Sequence, residues 1–142
     1  MFSNEVFDKV FTIVKYAMDD LEIEVNNKAV PKWADLYYAR STHELAVTSL
    51  PCLYMHQIGA LQVGNDLMRN IQNGISSTFQ VEAVSNKSYD EAYSIINDAG
   101  DIFIRLGYTL EYESEIPTDN ESLWRFVARF NRVIGANEEL AL

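Results

Sequence analysis

The chain has 142 residues, of which 48% are apolar, and a formal charge of −10. This length and composition favour a single domain over residues 1–142 with a core large enough to fold without disulfides or metal clusters. Only eleven Lys and Arg are present, which argues against a protein whose main role is to bind duplex nucleic acid, because phosphate binding needs clustered cations.

A single cysteine, Cys52, excludes an internal disulfide, and its apolar neighbours predict a small buried side chain. No stretch approaches the roughly 18 apolar residues that a membrane span needs. The first residues also lack the basic, apolar and small-residue series of a signal peptide. We therefore expect a soluble protein with no membrane partner.

The first predicted element is an amphipathic helix over residues 3–21, with Ser3 as its N-cap. Glu22 and Glu24 then indicate a solvated strand or loop. Residues 26–50 contain Pro31 and several aromatic residues, which indicate an ordered and packed connection. Their pattern assigns neither helix nor strand.

Two strands are predicted next, one over residues 52–58 and one that starts near Ile75 and alternates to Ala83, and we expect them to pair. The second strand alternates apolar and polar residues, so its polar positions, Gln80 and Glu82 among them, face water or a partner. The connection over residues 59–74 is long for a hairpin, and long connections are commonly functional. Its apolar residues either cover the edge of the sheet or contact a partner; Leu67, Met68 and Arg69 are the candidates for such a contact.

The second helix has clear start and stop signals. Ser88 and Glu91 have the spacing of a capping box, and Gly107 occupies the position where a left-handed residue ends a helix. Apolar residues recur at spacings of three and four between these signals, which predicts one buried stripe along the helix. The stripe consists of Ala92, Ile95, Ile96, Ala99, Ile102, Phe103 and Leu106.

A second strand pair is predicted over residues 108–116 and 124–134, with a turn between them. Burying the apolar residues of both strands on one face sets the register, because a one-residue slip would turn them outward. The predicted pairs are Ile116 with Trp124, Ser114 with Phe126, Tyr112 with Ala128 and Leu110 with Phe130. The same register predicts Glu115 opposite Arg125 and Glu111 opposite Arg129 on the polar face, while Arg132 points the other way.

These elements together predict an α+β fold in the order αββαββ, in which two amphipathic helices pack on an antiparallel sheet of about four main strands.

Signals for catalysis are weak. His43 and Glu44 lack the second histidine of a zinc-protease helix, and His56 alternates with apolar residues as sheet histidines do. Phosphate-binding glycine loops and a nucleophile elbow are absent from the sequence.

The sequence nevertheless resembles a known family over about residues 50–135. The segments that carry the resemblance are LPCLYMHQIG, TFQVEAVSNKSYDEAYSIINDAGDIFIRLGY and FVARFNRVIG. In their order of strand, helix and strand they are similar to the tail terminator, or tail completion, proteins of long-tailed bacteriophages. The segment before residue 50 matches no pattern of that family.

The resemblance implies a structural virion protein rather than an enzyme, without a cofactor or metal. Six copies would form a ring at the junction of tail and neck after synthesis in the host cytoplasm. The ring would end polymerisation of the tail tube and join it to the head connector or stopper protein, while viral DNA passes through without specific binding. Another neck component is the nearest alternative, and a small acidic enzyme or monomeric binding module is a more distant one.

A closed head-to-tail ring needs two different complementary patches on each subunit. We expect the charged face of the sheet and the loop containing Leu67, Met68 and Arg69 to supply them. The candidate residues on the sheet are Gln80, Glu82, Glu111, Glu113, Glu115, Arg125 and Arg129.

Overall fold

The computed structural model describes residues 2–40, 50–63, 74–118, 122–135 and 141. Within these residues the fold is α+β, as predicted, with two helices, a mixed sheet of five strands and an antiparallel sheet of two strands. The elements in chain order are α1 (Phe2–Asp19), β1 (Glu22–Val25), β2 (Lys28–Pro31), β3 (Tyr37–Ala39), β4 (Cys52–Val63), β5 (Gly74–Ser85), α2 (Tyr89–Arg105), β6 (Thr109–Ile116) and β7 (Trp124–Gly135).

The main sheet has five strands in the order β3-β4-β5-β7-β6. Four of them pair antiparallel, but β3 runs parallel to β4 through Tyr37↔Cys52 and Ala39↔Tyr54. The predicted antiparallel sheet of four strands in the order αββαββ is therefore wrong. It omitted β3, because a strand of three residues is too short to show the alternation on which strand prediction depends.

Helix α2 begins and ends as the sequence predicts. The Ser88 hydroxyl accepts a hydrogen bond from the Glu91 amide at 3.0 Å. The predicted capping box differs in its second half: the Glu91 carboxylate accepts from the Ser85 hydroxyl at 2.5 Å, and the Ser88 amide donates to Ser85 instead of to Glu91. At the other end, Gly107 has φ +90° and the Tyr108 amide donates to the Phe103 carbonyl at 3.0 Å, which is a Schellman ending.

Both helices pack on the same face of the main sheet and share one core with it. Helix α1 begins at Phe2, one residue before the predicted N-cap Ser3, and ends at Asp19, two residues before the predicted end. Phe79 of β5 is fully buried at the centre, with ring centroids 5.5 Å from Phe103 and 5.8 Å from Phe7. The predicted apolar stripe of α2 is buried throughout. Hydrophobic burial on this face therefore holds the two layers together.

Strands β4 and β5 form a longer hairpin than predicted. Their pairing continues to Val63↔Gly74, with an irregularity between Gln57 and Gly59. The predicted loop over residues 59–74 is thus shortened at its start, because the strand does not end at Gly59. Leu67, Met68 and Arg69 lie outside the described residues.

The register of β6 on β7 differs from the prediction. Leu110 pairs with Phe130 as predicted, but a bulge at Glu111 shifts every later pair by one residue. Ser114 therefore faces Val127 and Ile116 faces Arg125. A bulge places two residues opposite one and reverses the alternation beyond it. The predicted Glu115–Arg125 and Glu111–Arg129 pairs are wrong for this reason.

Residues 22–39 contain three strands that the sequence pattern did not assign, and residues 41–49 of the predicted connection lie outside the described residues. Strands β1 and β2 form a separate two-stranded sheet with the register Ile23↔Val30 and Val25↔Lys28. Next in the chain, the Trp33 ring is buried against the main core and its Nε1 donates to the Asp98 carboxylate at 2.8 Å.

Candidate functional site

The charged residues of the sheet face away from the helices on β5 and β7, where they bind one another. Arg125 donates from Nε to the Glu82 carboxylate at 2.7 Å, and Glu82 is only 3% exposed. Arg129 donates to the Gln80 side-chain oxygen at 3.1 Å. The four predicted residues of β5 and β7 thus form two hydrogen-bonded pairs, Glu82–Arg125 and Gln80–Arg129, that connect the two strands.

Arg129 also contacts the edge strand. Its guanidinium carbon lies 5.3 Å from the centre of the Tyr112 ring, a cation–π distance. Its Nε is buried and has no hydrogen-bond partner in the described part of the chain. Arg129 therefore links three strands on the outer face, with Gln80 on one side and Tyr112 on the other.

The three glutamates of β6 occupy different positions from the arginines. Glu113 and Glu115 pair with Ala128 and Phe126, which lie on the helix-covered side of the sheet, and Glu111 lies in the bulge. All three side chains are exposed. The predicted seven charged and polar residues therefore divide into an internally bonded set on β5 and β7 and an open acidic set on the edge strand.

A groove runs between α2 and β6 that the sequence analysis did not identify. Ala128 and Phe130 form its floor, with Ile104 on the helix side and Leu110 on the strand side. Gly100 lets the helix approach the sheet here, since an added Cβ would lie 3.3 Å from the Phe130 ring. Only the three-dimensional packing of α2 against β7 reveals this groove, because its residues are distant in sequence.

The β1–β2 hairpin is the second surface that sequence reasoning missed. Residues 22–25 alternate polar and apolar side chains before the turn. At the turn, Asn26 and Asn27 both have positive φ (54° and 65°). This is the dihedral signature of a two-residue hairpin turn, and asparagine tolerates it better than most residues. The Asn-Asn pair between alternating residues was the signal that could have predicted it.

Two tyrosines, Tyr38 and Tyr108, have a raised pKa. Burial raises the pKa of Tyr108, and its hydrogen bond with Ser77 at 2.9 Å and the Arg132 charge oppose that rise. Burial also raises the pKa of Tyr38, and the adjacent Asp19 carboxylate raises it further. Both shifts keep the phenols neutral, so these groups act as hydrogen-bonding parts of the packed structure.

The residues considered for catalysis are not assembled into a site within the described ranges. His56 is exposed and stacks on Tyr54, with ring centroids 5.9 Å apart. Cys52 is buried, and His43 and Glu44 lie outside the described residues. No group of three or more His, Cys, Asp or Glu side chains that could hold a metal occurs among residues 2–40, 50–63, 74–118 and 122–135.

Comparison with protein-family models gives no match, and no curated protein matches the chain either. Among the described residues, neither helix has the length and hydropathy needed to cross a lipid bilayer.

Proposed function

We propose that this chain is a tail terminator protein of a long-tailed bacteriophage. Six copies form a ring at the head-proximal end of the tail tube, where the ring stops tube growth and presents a joining surface to the head connector or stopper protein. The protein acts as a structural component of the virion, and its direct partners are its own copies, the tube protein and the connector. Viral DNA passes through the ring.

The edge strand β6 carries the proposal. It lies at the end of the five-stranded sheet, and its residues from Thr109 to Glu115 are exposed. An edge strand offers backbone donors and acceptors to a further chain, and charged side chains restrict which chain can approach. Glu111, Glu113 and Glu115 would therefore favour a neighbour that brings cations to this edge and disfavour an identical edge.

The outer face of the sheet supports a different part of the role. Its arginines are already paired with Glu82 and Gln80, so few of its cations are open to phosphate. Together with the net charge of −10, this arrangement suits a channel wall along which DNA slides, because like charge repels the phosphates. This assignment turns the half-buried Gln80, Arg125 and Arg129 towards the lumen or an adjoining subunit, while Glu82 is buried and neutralises Arg125.

The loop residues Leu67, Met68 and Arg69 belong to the proposal as the contact with the tube or a neighbour. They lie in the connection between β4 and β5, which are strands of 12 residues each. A loop at the end of a long hairpin can reach beyond the body of its own subunit.

Deletion of the gene from the encoding phage tests the function. The expected particles have overlong tubes that are not joined to heads, and antibody labelling of normal particles marks the junction of tube and head. Tubes of normal length without heads would instead assign the chain to another neck component. Normal particles lacking any label would contradict a virion role altogether.

A further inference from the structure

The β1–β2 hairpin presents two chemically different faces. Its register places Ile23, Val25, Lys28 and Val30 on one face. Glu22, Glu24, Ala29 and Pro31 lie on the other. Ile23 is 43% and Val25 47% exposed, so the first face is apolar, carries one cation and is open to solvent.

The base of this hairpin is attached to the rest of the subunit. The Lys32 ammonium lies 2.8 Å from the Asp98 carboxylate of α2, and the Lys32 amide donates to the Leu21 carbonyl at 2.8 Å. Residues 22–29, which include the turn, are all exposed. A two-stranded hairpin on its own is marginally stable in water, so a surface that covers its apolar face would stabilise it.

The groove between α2 and β6 has the complementary chemistry. Ile104 is 49% and Leu110 43% exposed, which leaves an apolar strip open at the edge of the sheet. Asp101 and Glu113 line the same groove. Neither carboxylate forms an ion pair in the described part of the chain, and Lys28 forms none there either.

We propose that the hairpin of one copy docks in the α2–β6 groove of a second copy. Ile23 and Val25 pack on Ile104 and Leu110, while Lys28 approaches Glu113 and Asp101. The inference rests on the proposed ring and supplies its subunit contact, because hairpin and groove are different surfaces and their pairing is head-to-tail.

Charge determines which face of the hairpin can dock in the groove of a second copy. A chain with a net charge of −10 repels its own copies unless the contact joins opposite charges. The two carboxylates of the groove repel the hairpin face with Glu22 and Glu24 and attract the face with Lys28. One hairpin face is smaller than the roughly 800 Å² per partner of a stable interface, so the edge of β6 must contribute further contact.

Two charge reversals test the contact, with mass measured by native mass spectrometry over a dilution series. Lys28→Glu and Glu113→Lys are each expected to raise the concentration needed for assembly by at least about tenfold, because each places like charges across the contact. The matched controls Lys9→Glu on α1 and Asp35→Lys after β2 make the same charge changes at exposed positions away from the hairpin and the groove, and should leave assembly unchanged.

Mixing the two variants is the most specific test of the contact. In an alternating assembly, the altered hairpin of the Lys28→Glu variant meets the altered groove of the Glu113→Lys variant. The unaltered hairpin of the second variant then meets the unaltered groove of the first, so every contact is complementary. An equimolar mixture should therefore recover the wild-type mass, and so should the Lys28→Glu/Glu113→Lys double variant.

The contact is wrong if either single variant assembles like wild type, if mixing fails to restore assembly, or if the wild-type chain stays monomeric at its highest soluble concentration. The proposed function fails separately. Restored alternating assembly combined with normal particles from the gene deletion would retain the contact and reject the terminator role.

Discussion

The centre of the sheet and its margin are built differently. Strands β5 and β7 lie beneath the helices, and their inward side chains, such as Phe79 and Phe130, are fully or almost fully buried. Strand β6 and the β1–β2 hairpin have mostly exposed residues, including the apolar Leu110 and Ile23. The central strands therefore stabilise the subunit, while the marginal elements keep apolar and charged groups available for contact.

This difference separates two kinds of mutation. Changes at the centre should lower the free energy of unfolding, because they create cavities or leave buried polar groups without partners. Changes at the margin should leave folding nearly unaffected and alter assembly.

Phe103→Ala should lower the free energy of unfolding by about 3–5 kcal/mol, as removal of a buried aromatic ring usually does. Phe103 is fully buried and stacks on Phe130 with ring centroids 4.9 Å apart. Urea unfolding followed by circular dichroism measures the change. Tyr16→Ala on the exposed side of α1 is the control, and an equal loss in both variants would contradict the central role of this ring.

Glu82→Gln should cost about 1–3 kcal/mol, because the buried acceptor of the Arg125 guanidinium loses its charge. The same urea titration applies. Glu24→Gln removes a carboxylate from an exposed hairpin position and should change stability by no more than about 0.5 kcal/mol. Indistinguishable stabilities for the two variants would show that the Glu82–Arg125 tie does not hold β5 to β7.

Gly107→Ala should cost about 1–2 kcal/mol, because φ is +90° at this position and side chains with a Cβ rarely adopt it. Gly107→Asn is the matched variant: it meets the same Arg132 side chain at 3.3 Å but tolerates left-handed dihedrals better. Thermal unfolding should rank the wild type first, Asn second and Ala last. A reversed order of Asn and Ala would locate the cost in the contact with Arg132.

Glu113→Gln should have the smallest effect on folding, within about 0.5 kcal/mol, since its side chain is exposed on the edge strand. Assembly should nevertheless weaken, because Lys28 of a neighbouring copy loses a carboxylate. Urea unfolding and native mass spectrometry of the same sample measure both quantities. A large loss of stability would place Glu113 with the centre of the sheet.

Elements with strong local signals were predictable from the sequence. Helix α2 follows from the Ser88 cap, the apolar stripe and Gly107, because each depends on residues close together in the chain. The pairing of β4 with β5 was also predicted correctly, and Gln80 and Glu82 share the face opposite the helices, although Glu82 is buried there instead of facing water. These features depend on period and capping, which a sequence displays directly.

The features that were missed depend on longer-range geometry. The bulge at Glu111 keeps Leu110 opposite Phe130 but turns Tyr112 outward to stack on Arg129. Alternation alone predicts an unbroken register, so it paired the glutamates with the wrong partners. The α2–β6 groove joins residues from three elements. The candidate contacts at Leu67, Met68 and Arg69 stay predictions.

Hydrogen–deuterium exchange tests the central claim most directly, by comparing dilute wild-type protein with protein concentrated enough to assemble. The account predicts that assembly slows exchange in β1–β2 (residues 22–31) and in β6 (residues 109–116), while β5 and β7 remain protected in both states. Slowed exchange confined to other surfaces, or no change on concentration, would contradict a subunit contact built from the margin of the sheet.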